Sequence, residues 1–301
     1  MLFSIFKRIL KPLLGTGLGR FRLLMRLYTF LYQRLAPKGV ILVEVYGHKM
    51  YVDGQDVGFA PLFLVKNAYE KQVIRVFENE IKQGAVVLDI GANIGYHTLT
   101  AAKLVGQDGK VFAFEPEPSN FDLLVKNIEI NGYSNVIPVQ KALSNKGGKA
   151  KLFLHEAYRG GHSLLPDNVS ILSAGSEAST FLGRCCEVEV ETLDELFKDY
   201  EGKIDFIKID IQGAEMAVLE GGRNIIEKNK DLKIVTEFWP AGLRQFPDSS
   251  PEEYLNMLES YGFKLYLIDE SKESVAPFVS ASFLSKYRGT DSINLLCQRH
   301  D

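Results

Sequence analysis

Val86-Val87-Leu88-Asp89-Ile90-Gly91-Ala92-Asn93-Ile94-Gly95-Tyr96-His97-Thr98 decides the fold of this 301-residue chain. Val86 to Ile90 is a short apolar run of the kind a parallel sheet buries on both faces. Gly91 and Gly95 allow a tight strand-to-helix turn and close backbone approach. Such a turn stands at the carboxyl end of a strand, where open α/β sheets receive ligands. The spacing is Asp-x-Gly-x-x-x-Gly, not the Gly-x-Gly-x-x-Gly of dinucleotide folds.

Asp89 is the informative difference. A carboxylate at the end of the first strand repels a pyrophosphate and suits a ligand carrying an ammonium and a sulfonium, as S-adenosylmethionine does. One βα unit downstream, Lys110 to Phe114 reads as the next strand and ends in Glu115. An acid about 20 residues past the glycine turn accepts hydrogen bonds from ribose hydroxyls. Turn and acid together point to a nucleoside-type cofactor.

The same rhythm extends outward. A small hairpin is expected from Val40 to about Asp56, and a helix from Ala68 to Gln83. Strands follow at Asn135–Val139, Ile204–Asp210 and Leu232–Phe238, with helices after His97 and Pro118, from about Ala214 to Lys228, and from Pro251 to Ser260. Strands alternating with helices predict a doubly wound, mostly parallel sheet. Phe263–Ile268 and Ser292–Gln298 are strand-like, with no clear crossover helix between them, and are expected to pair antiparallel near the sheet edge. Residues 156–186 are rich in Gly and Ser and lack an apolar period. That length suits a lid or substrate-binding segment.

Charge is unevenly placed. Eight of the 35 Lys and Arg fall in residues 1–43, which hold no acid. The remaining 27 face 38 acidic residues, a balance of −11. An acidic main domain argues against a nucleic-acid substrate. Apolar residues recur at helical spacing through residues 1–35 with basic residues between them, but no run is long enough to span a bilayer. Two readings stay open: an interfacial helix on the cytoplasmic membrane face, or a helix packed on its own domain or a partner subunit. Cys185, Cys186 and Cys297 match no common zinc spacing or disulfide framework. They fit a reducing, cytoplasmic compartment and read as small packing residues.

The residues together resemble the FkbM family of S-adenosylmethionine-dependent methyltransferases. The landmarks are Val87 to Gly95, Phe114-Glu115-Pro116, Ile207-Lys208-Ile209-Asp210-Ile211-Gln212-Gly213-Ala214-Glu215, Val218-Leu219-Glu220-Gly221 and Glu237-Phe238-Trp239-Pro240. Gln212 departs from the pattern, since many relatives carry Glu there. The resemblance runs from about Tyr69-Glu70 to Trp239-Pro240, with the terminal antiparallel hairpin added, and implies a class I methyltransferase sheet; residues 41–301 are read as that domain, and the basic extension at 1–40 lies outside the resemblance. The resemblance also implies O-methylation of a sugar, polyketide or other small-molecule hydroxyl.

Asp89 is expected to meet the methionine ammonium, directly or through water. Gly91, Asn93, Gly95 and Tyr96 are expected to line the cofactor, Glu115 to hold the ribose, and Ala142 and Leu143 to flank the adenine. Methyl transfer to a hydroxyl needs the oxygen positioned near the methyl carbon and a base for its proton. Asp210, Glu237, Glu215 and His162 are the candidate side chains for that chemistry. No metal is assigned. Two other readings compete: a nicotinamide-dependent oxidoreductase, which Asp89 and the glycine spacing disfavour, and a non-catalytic binding module on the same fold.

Overall fold

The computed structural model describes residues 30–66, 69–155, 159–165, 184–200, 203–246, 249–287 and 292–299. Thirteen strands are present among them. β1 (Val40–Val45) and β2 (His48–Asp53) form an antiparallel hairpin. The central sheet contains β3 (Val86–Ile90), β4 (Lys110–Phe114), β5 (Val136–Val139), β9 (Phe206–Ile209), β10 (Lys233–Phe238), β11 (Lys264–Asp269), β12 (Ser274–Pro277) and β13 (Ile293–Gln298). Its spatial order is β12-β11-β13-β10-β9-β3-β4-β5. β5, β4, β3, β9 and β10 run parallel, while β13 is antiparallel to both β10 and β11. A parallel sheet closed by an antiparallel strand inserted before the edge is the Rossmann-like class I methyltransferase architecture.

The strand sequences explain the layering. Alternate residues of β3 and β9 enter opposite cores. Val87 and Phe206 pack with Phe77, Leu99 and Leu124 on one face. Leu88, Ile90, Ile207 and Ile209 pack with Leu219, Ile226, Phe238 and Leu255 on the other. Helices α1 (Lys71–Glu80), α2 (Tyr96–Val105), α3 (Pro118–Ile130), α4 (Glu215–Gly221), α5 (Arg223–Lys228), α6 (Pro251–Ser260) and α7 (Ser280–Lys286) complete the layers.

The structure refines the expected fold in three places. The helix expected over Ala214–Lys228 is two helices, because the chain turns at Gly222. Gly221 lies so close to another segment that a Cβ there would stand 2.1 Å from the Ser144 carbonyl oxygen. The terminal strands β11 and β13 pair antiparallel as expected, with β12 and α7 between them in the chain and β13 inside the sheet. A second sheet, β6 (Ala142–Leu143), β8 (Cys185–Glu191) and β7 (Gly148–Phe153), was not expected. β8 alternates Glu187, Glu189 and Glu191 with Val188 and Val190, and β7 places Lys149 and Lys151 on one face, a period-2 pattern that marks half-buried strands. Cys297 is buried as expected of a packing residue, whereas Cys185 is exposed.

Several side chains tie the β1–β2 hairpin to the main domain, among them Asn127, Asn131 and Arg159. Asn127 Oδ1 accepts the Tyr51 N–H at 2.5 Å, and Asn127 Nδ2 donates to the Tyr51 and Ile94 carbonyls at 3.1 and 2.7 Å. Asn127 is fully buried. Asn127→Ala is expected to destabilise the chain by about 2–4 kcal/mol, since it leaves buried backbone groups unpaired. Thermal unfolding together with hydrogen exchange at Tyr51 checks this; an unchanged exchange rate at Tyr51 counts against it.

The end of the basic extension is visible as a docked element. Tyr32 is fully buried, donates to the Gly54 carbonyl at 3.1 Å, and clusters with Ala36 and Ala60. Residues 1–29, on which most of the membrane reading rests, and residues 166–183 of the expected lid lie outside the described residues. Among the described residues no helix is long and apolar enough to cross a membrane.

Candidate active site

A cleft opens at the carboxyl ends of β3, β4, β9 and β10. Its lining includes Gly91, Asn93, Tyr96, Glu115, Ala142, Leu143, His162, Asp210 and Glu237 from the expected set, together with Glu70, Arg159, Lys208 and Gln212. Gly91, Glu115, Asp210 and Glu237 come together because each lies at or just past the end of a parallel strand, while Glu70, Arg159 and His162 reach the cleft from outside the sheet.

The loop after β3 is held from within. Gly91 N and Ala92 N both donate to the Phe114 carbonyl, at 3.0 and 2.9 Å, and Gly95 N donates to Ala92 O at 2.9 Å. Asn93 N donates to Glu115 Oε2 at 2.8 Å, and Ile94 N to Asn93 Oδ1 at 2.7 Å. Every N–H from 91 to 95 is therefore used inside the protein. A pyrophosphate needs such groups pointing at it, so the dinucleotide reading loses its binding site. Gly91 adopts φ +78°, and a Cβ on it would lie 2.0 Å from the Asp210 carbonyl oxygen. Gly95, also left-handed, lies outside the cleft lining and packs toward Leu124.

Glu115 is nearly buried and also accepts the Glu117 N–H at 2.9 Å. Burial pushes its pKa up to about 7, although the two backbone donors oppose the rise. Beside it, Phe114, Ala142, Leu143 and Leu152 form an apolar slot. A carboxylate next to an apolar slot suits a ribose bearing a purine. Asn93 Nδ2 donates to the Arg159 carbonyl at 3.3 Å, so its side chain braces the loop. Tyr96 borders the cleft, but its hydroxyl donates to the Tyr69 carbonyl at 2.7 Å.

Asp89 departs from expectation. It is 1% exposed and does not line the cleft. Thr98 Oγ1 donates to its Oδ2 at 2.6 Å, while Oδ1 faces Lys208 Nζ at 3.4 Å. The two residues are register partners on adjacent parallel strands, which explains the pairing. Lys208 Nζ also donates to the Gly91 carbonyl at 2.9 Å and lies 3.8 Å from Asp210 Oδ2. Burial works against its charge, but Asp89, Asp210 and Glu70 outweigh that and raise its pKa. Direct contact between Asp89 and a cofactor ammonium is thus replaced by an internal ion pair.

Asp210 and Glu237 share one partner. Gln212 Nε2 donates to Asp210 Oδ1 at 2.9 Å and to Glu237 Oε2 at 3.0 Å. Its carbonyl accepts from Ser163 Oγ at 3.1 Å, linking the acid pair to the 159–165 segment. Gln212 has φ +57°, so a non-glycine residue holds an uncommon backbone conformation here. Burial, then Asp210 and Glu215, push the Glu237 carboxyl well above its ordinary range. The departure noted at Gln212 is what separates the two acids.

Two candidate bases are corrected. Glu215 is fully buried and lies outside the cleft lining. Its Oε1 accepts from Ile211 N and Gly213 N, both at 3.1 Å, so it shapes the turn that carries Gln212. His162 lines the cleft, but its Nδ1 accepts the His155 N–H at 3.0 Å. A neutral imidazole then carries its proton on Nε2 and offers a donor, not a base. Burial lowers its pKa to about 4, which keeps it neutral.

Glu215 supplies a pH test. Burial raises its pKa to about 7 from 4.5. A carboxyl raised on folding binds its proton more tightly in the native state, so its contribution is fully present below pH 4.5 and is lost as pH rises through about 7. Glu215→Gln is expected to flatten the fall in stability between pH 5 and 8, by on the order of 2–3 kcal/mol. Denaturant unfolding at the two pH values measures it.

Glu70, Arg159 and Lys208 were not assigned roles from sequence. Only the Ile207-Lys208-Ile209 pattern, a lysine inside an apolar strand, signals one of them in advance. Arg159 joins Asp53 of the hairpin at 2.9 Å to Ser119 at 2.7 Å and Asn120 at 3.3 Å.

Comparison with known proteins agrees with this geometry. The profile of the Methyltransferase FkbM domain matches residues 89–265. The chain belongs to the FkbM methyltransferase family. The cofactor of the family is S-adenosylmethionine, and the excess of acids with an apolar slot fits a ligand of that charge. Methyltransferase sdnD of Sordaria araneosa is 32% identical over 180 residues, covering 52% of this chain and 68% of that protein. Hexuronic acid methyltransferase AglP of Haloferax volcanii is 28% identical over 159 residues, covering 52% of this chain and 58% of that protein. The match to AglP therefore spans less than two thirds of that relative. Among solved structures, a precorrin-6y C5,15-methyltransferase from Geobacter metallireducens overlaps 76% of this chain and 88% of its own, with 13% identity and a TM-score of 0.42.

Proposed function

We propose that this FkbM methyltransferase transfers a methyl group to a hydroxyl of a saccharide, glycolipid or similar small molecule. The carrying observation is the Gln212-bridged acid pair at the open ends of β9 and β10. S-adenosylmethionine supplies an electrophilic methyl group when bound. The likeness to a protein named as a hexuronic acid methyltransferase supports a sugar acceptor.

In this reading Glu237 is the base. Its raised pKa makes the ionised form a stronger proton acceptor than an ordinary carboxylate, nearer the working pH. Gln212 and Ser292 both hydrogen-bond the Glu237 carboxylate at the cleft wall. Asp210, fixed by Gln212 and Lys208, orients the acceptor hydroxyl and keeps local charge negative. Glu115 holds the ribose, and the 142–143 strand the adenine side. His162 offers an N–H to an acceptor oxygen.

The test is transfer of labelled methyl from S-adenosylmethionine to a panel of glycosides, with the product position mapped by NMR. Label on a sugar oxygen supports the reading. Label found only on nitrogen acceptors, or on none of the glycosides while other alcohols react, replaces it.

A further inference from the structure

One acid of the cleft lining, Glu70, has no part in the proposed transfer step. Glu70 stands at the start of α1, where a side chain ordinarily caps the free N–H groups. It makes no such cap. Glu270, from the turn after β11, takes that place: its Oε1 accepts from Gln72 N at 2.9 Å and Val73 N at 3.1 Å. Glu70 instead holds a left-handed backbone, φ +41°, and its carboxylate enters the cleft lining. Strain of that kind in a non-glycine residue persists where the surroundings enforce it and marks functional positions.

The surroundings aim the carboxylate. His97 Nε2, on the first turn of α2 just past the glycine loop, lies 3.2 Å from Glu70 Oε2. Asn294 Nδ2, the register partner of Glu237 on β13, donates to Oε1 at 3.0 Å. Burial opposes the charge, yet these partners overcome it and hold the carboxyl below its ordinary range. The cleft therefore keeps an aimed, ionised acid beside the loop that receives the cofactor.

Asp89 is unavailable for that task, because Lys208 already meets it and the Gly91 carbonyl. Asp210 is held by Gln212 and lies 3.8 Å from Lys208 Nζ, so Glu70 is the acid that remains to welcome a cation. We propose that Glu70 receives the ammonium of the methionine part of S-adenosylmethionine, in place of Asp89.

The test is calorimetric binding of three ligands that differ at that end. S-adenosylhomocysteine carries the ammonium, its deaminated analogue lacks it, and 5′-methylthioadenosine lacks the whole amino-acid part. Glu70→Gln is expected to raise Kd for S-adenosylhomocysteine at least about tenfold, which is about 1.4 kcal/mol, and to leave the other two within about twofold. Unchanged binding of methylthioadenosine also shows that the variant is folded. Asn294→Ala, which removes only the aiming donor, is expected to weaken S-adenosylhomocysteine alone by a few fold; it decides the matter if Glu70→Gln does not fold. Equal weakening of S-adenosylhomocysteine and its deaminated analogue, or no change in either, overturns the assignment.

Discussion

Gly91→Ala is expected to cost both stability and activity. The added Cβ would stand 2.0 Å from the Asp210 carbonyl oxygen and 3.0 Å from its carbon, both backbone atoms that a rotamer change cannot move. The site also demands φ +78°, which costs alanine about 1–2 kcal/mol. The chain must separate β3 from β9 at the strand ends, which moves Asp210 and Lys208 together. Destabilisation of about 3 kcal/mol or more is expected. Methyl transfer should fall at least about a hundredfold, because a displacement near 1 Å at a reacting centre has that effect. Thermal unfolding and a transfer assay measure the two losses separately. A variant with wild-type Tm and wild-type rate would show that the strand ends are far more pliant than their packing implies.

Glu237→Gln should be nearly silent in binding and severe in rate. The amide keeps a carbonyl oxygen for Gln212 Nε2 and the shape of the side chain, so affinity for S-adenosylhomocysteine is expected to stay within a few fold. Loss of the base should lower kcat by about 10²–10⁴. The pH profile adds a second readout. As the proposed base Glu237 would act only when ionised, and its pKa lies well above the usual carboxylate value, so the wild-type rate is expected to fall as pH drops through that raised pKa. The variant should lack this acidic limb. A variant that keeps the limb assigns it to another group and removes Glu237 as the base.

Much of this was legible in the sequence, and particular residues show why the rest was not. The apolar runs ending in Asp89, Glu115, Asp210 and Glu237 mark strands buried on both faces, and strand ends are where a doubly wound sheet collects its chemistry. That logic places an acid at an edge but does not say whether another side chain already occupies it. Asp89 faces Lys208 because the two are opposite in register, and register between distant strands is not written in either strand alone. Glu215 lies one helical turn from Gln212 and reads as a second acid, yet the turn folds it inward to bind Ile211 N and Gly213 N. His162 was identified by residue type, whereas its usefulness as a base depends on a backbone N–H seven residues away. Glu70 went without a role because its orientation depends on Glu270 and Asn294, some two hundred positions later.

The placement of β13 bears on how the protein is made. That strand follows β11, β12 and α7 in the chain but lies between β10 and β11 in the sheet. Until residues 293–298 emerge during synthesis, β10 presents an unpaired edge, and unpaired edges invite association with other chains. Asn294, which aims Glu70, arrives with the same strand. A nascent chain therefore completes its sheet and the setting of Glu70 in one late step, so premature release should yield a product prone to association and with weakened cofactor binding.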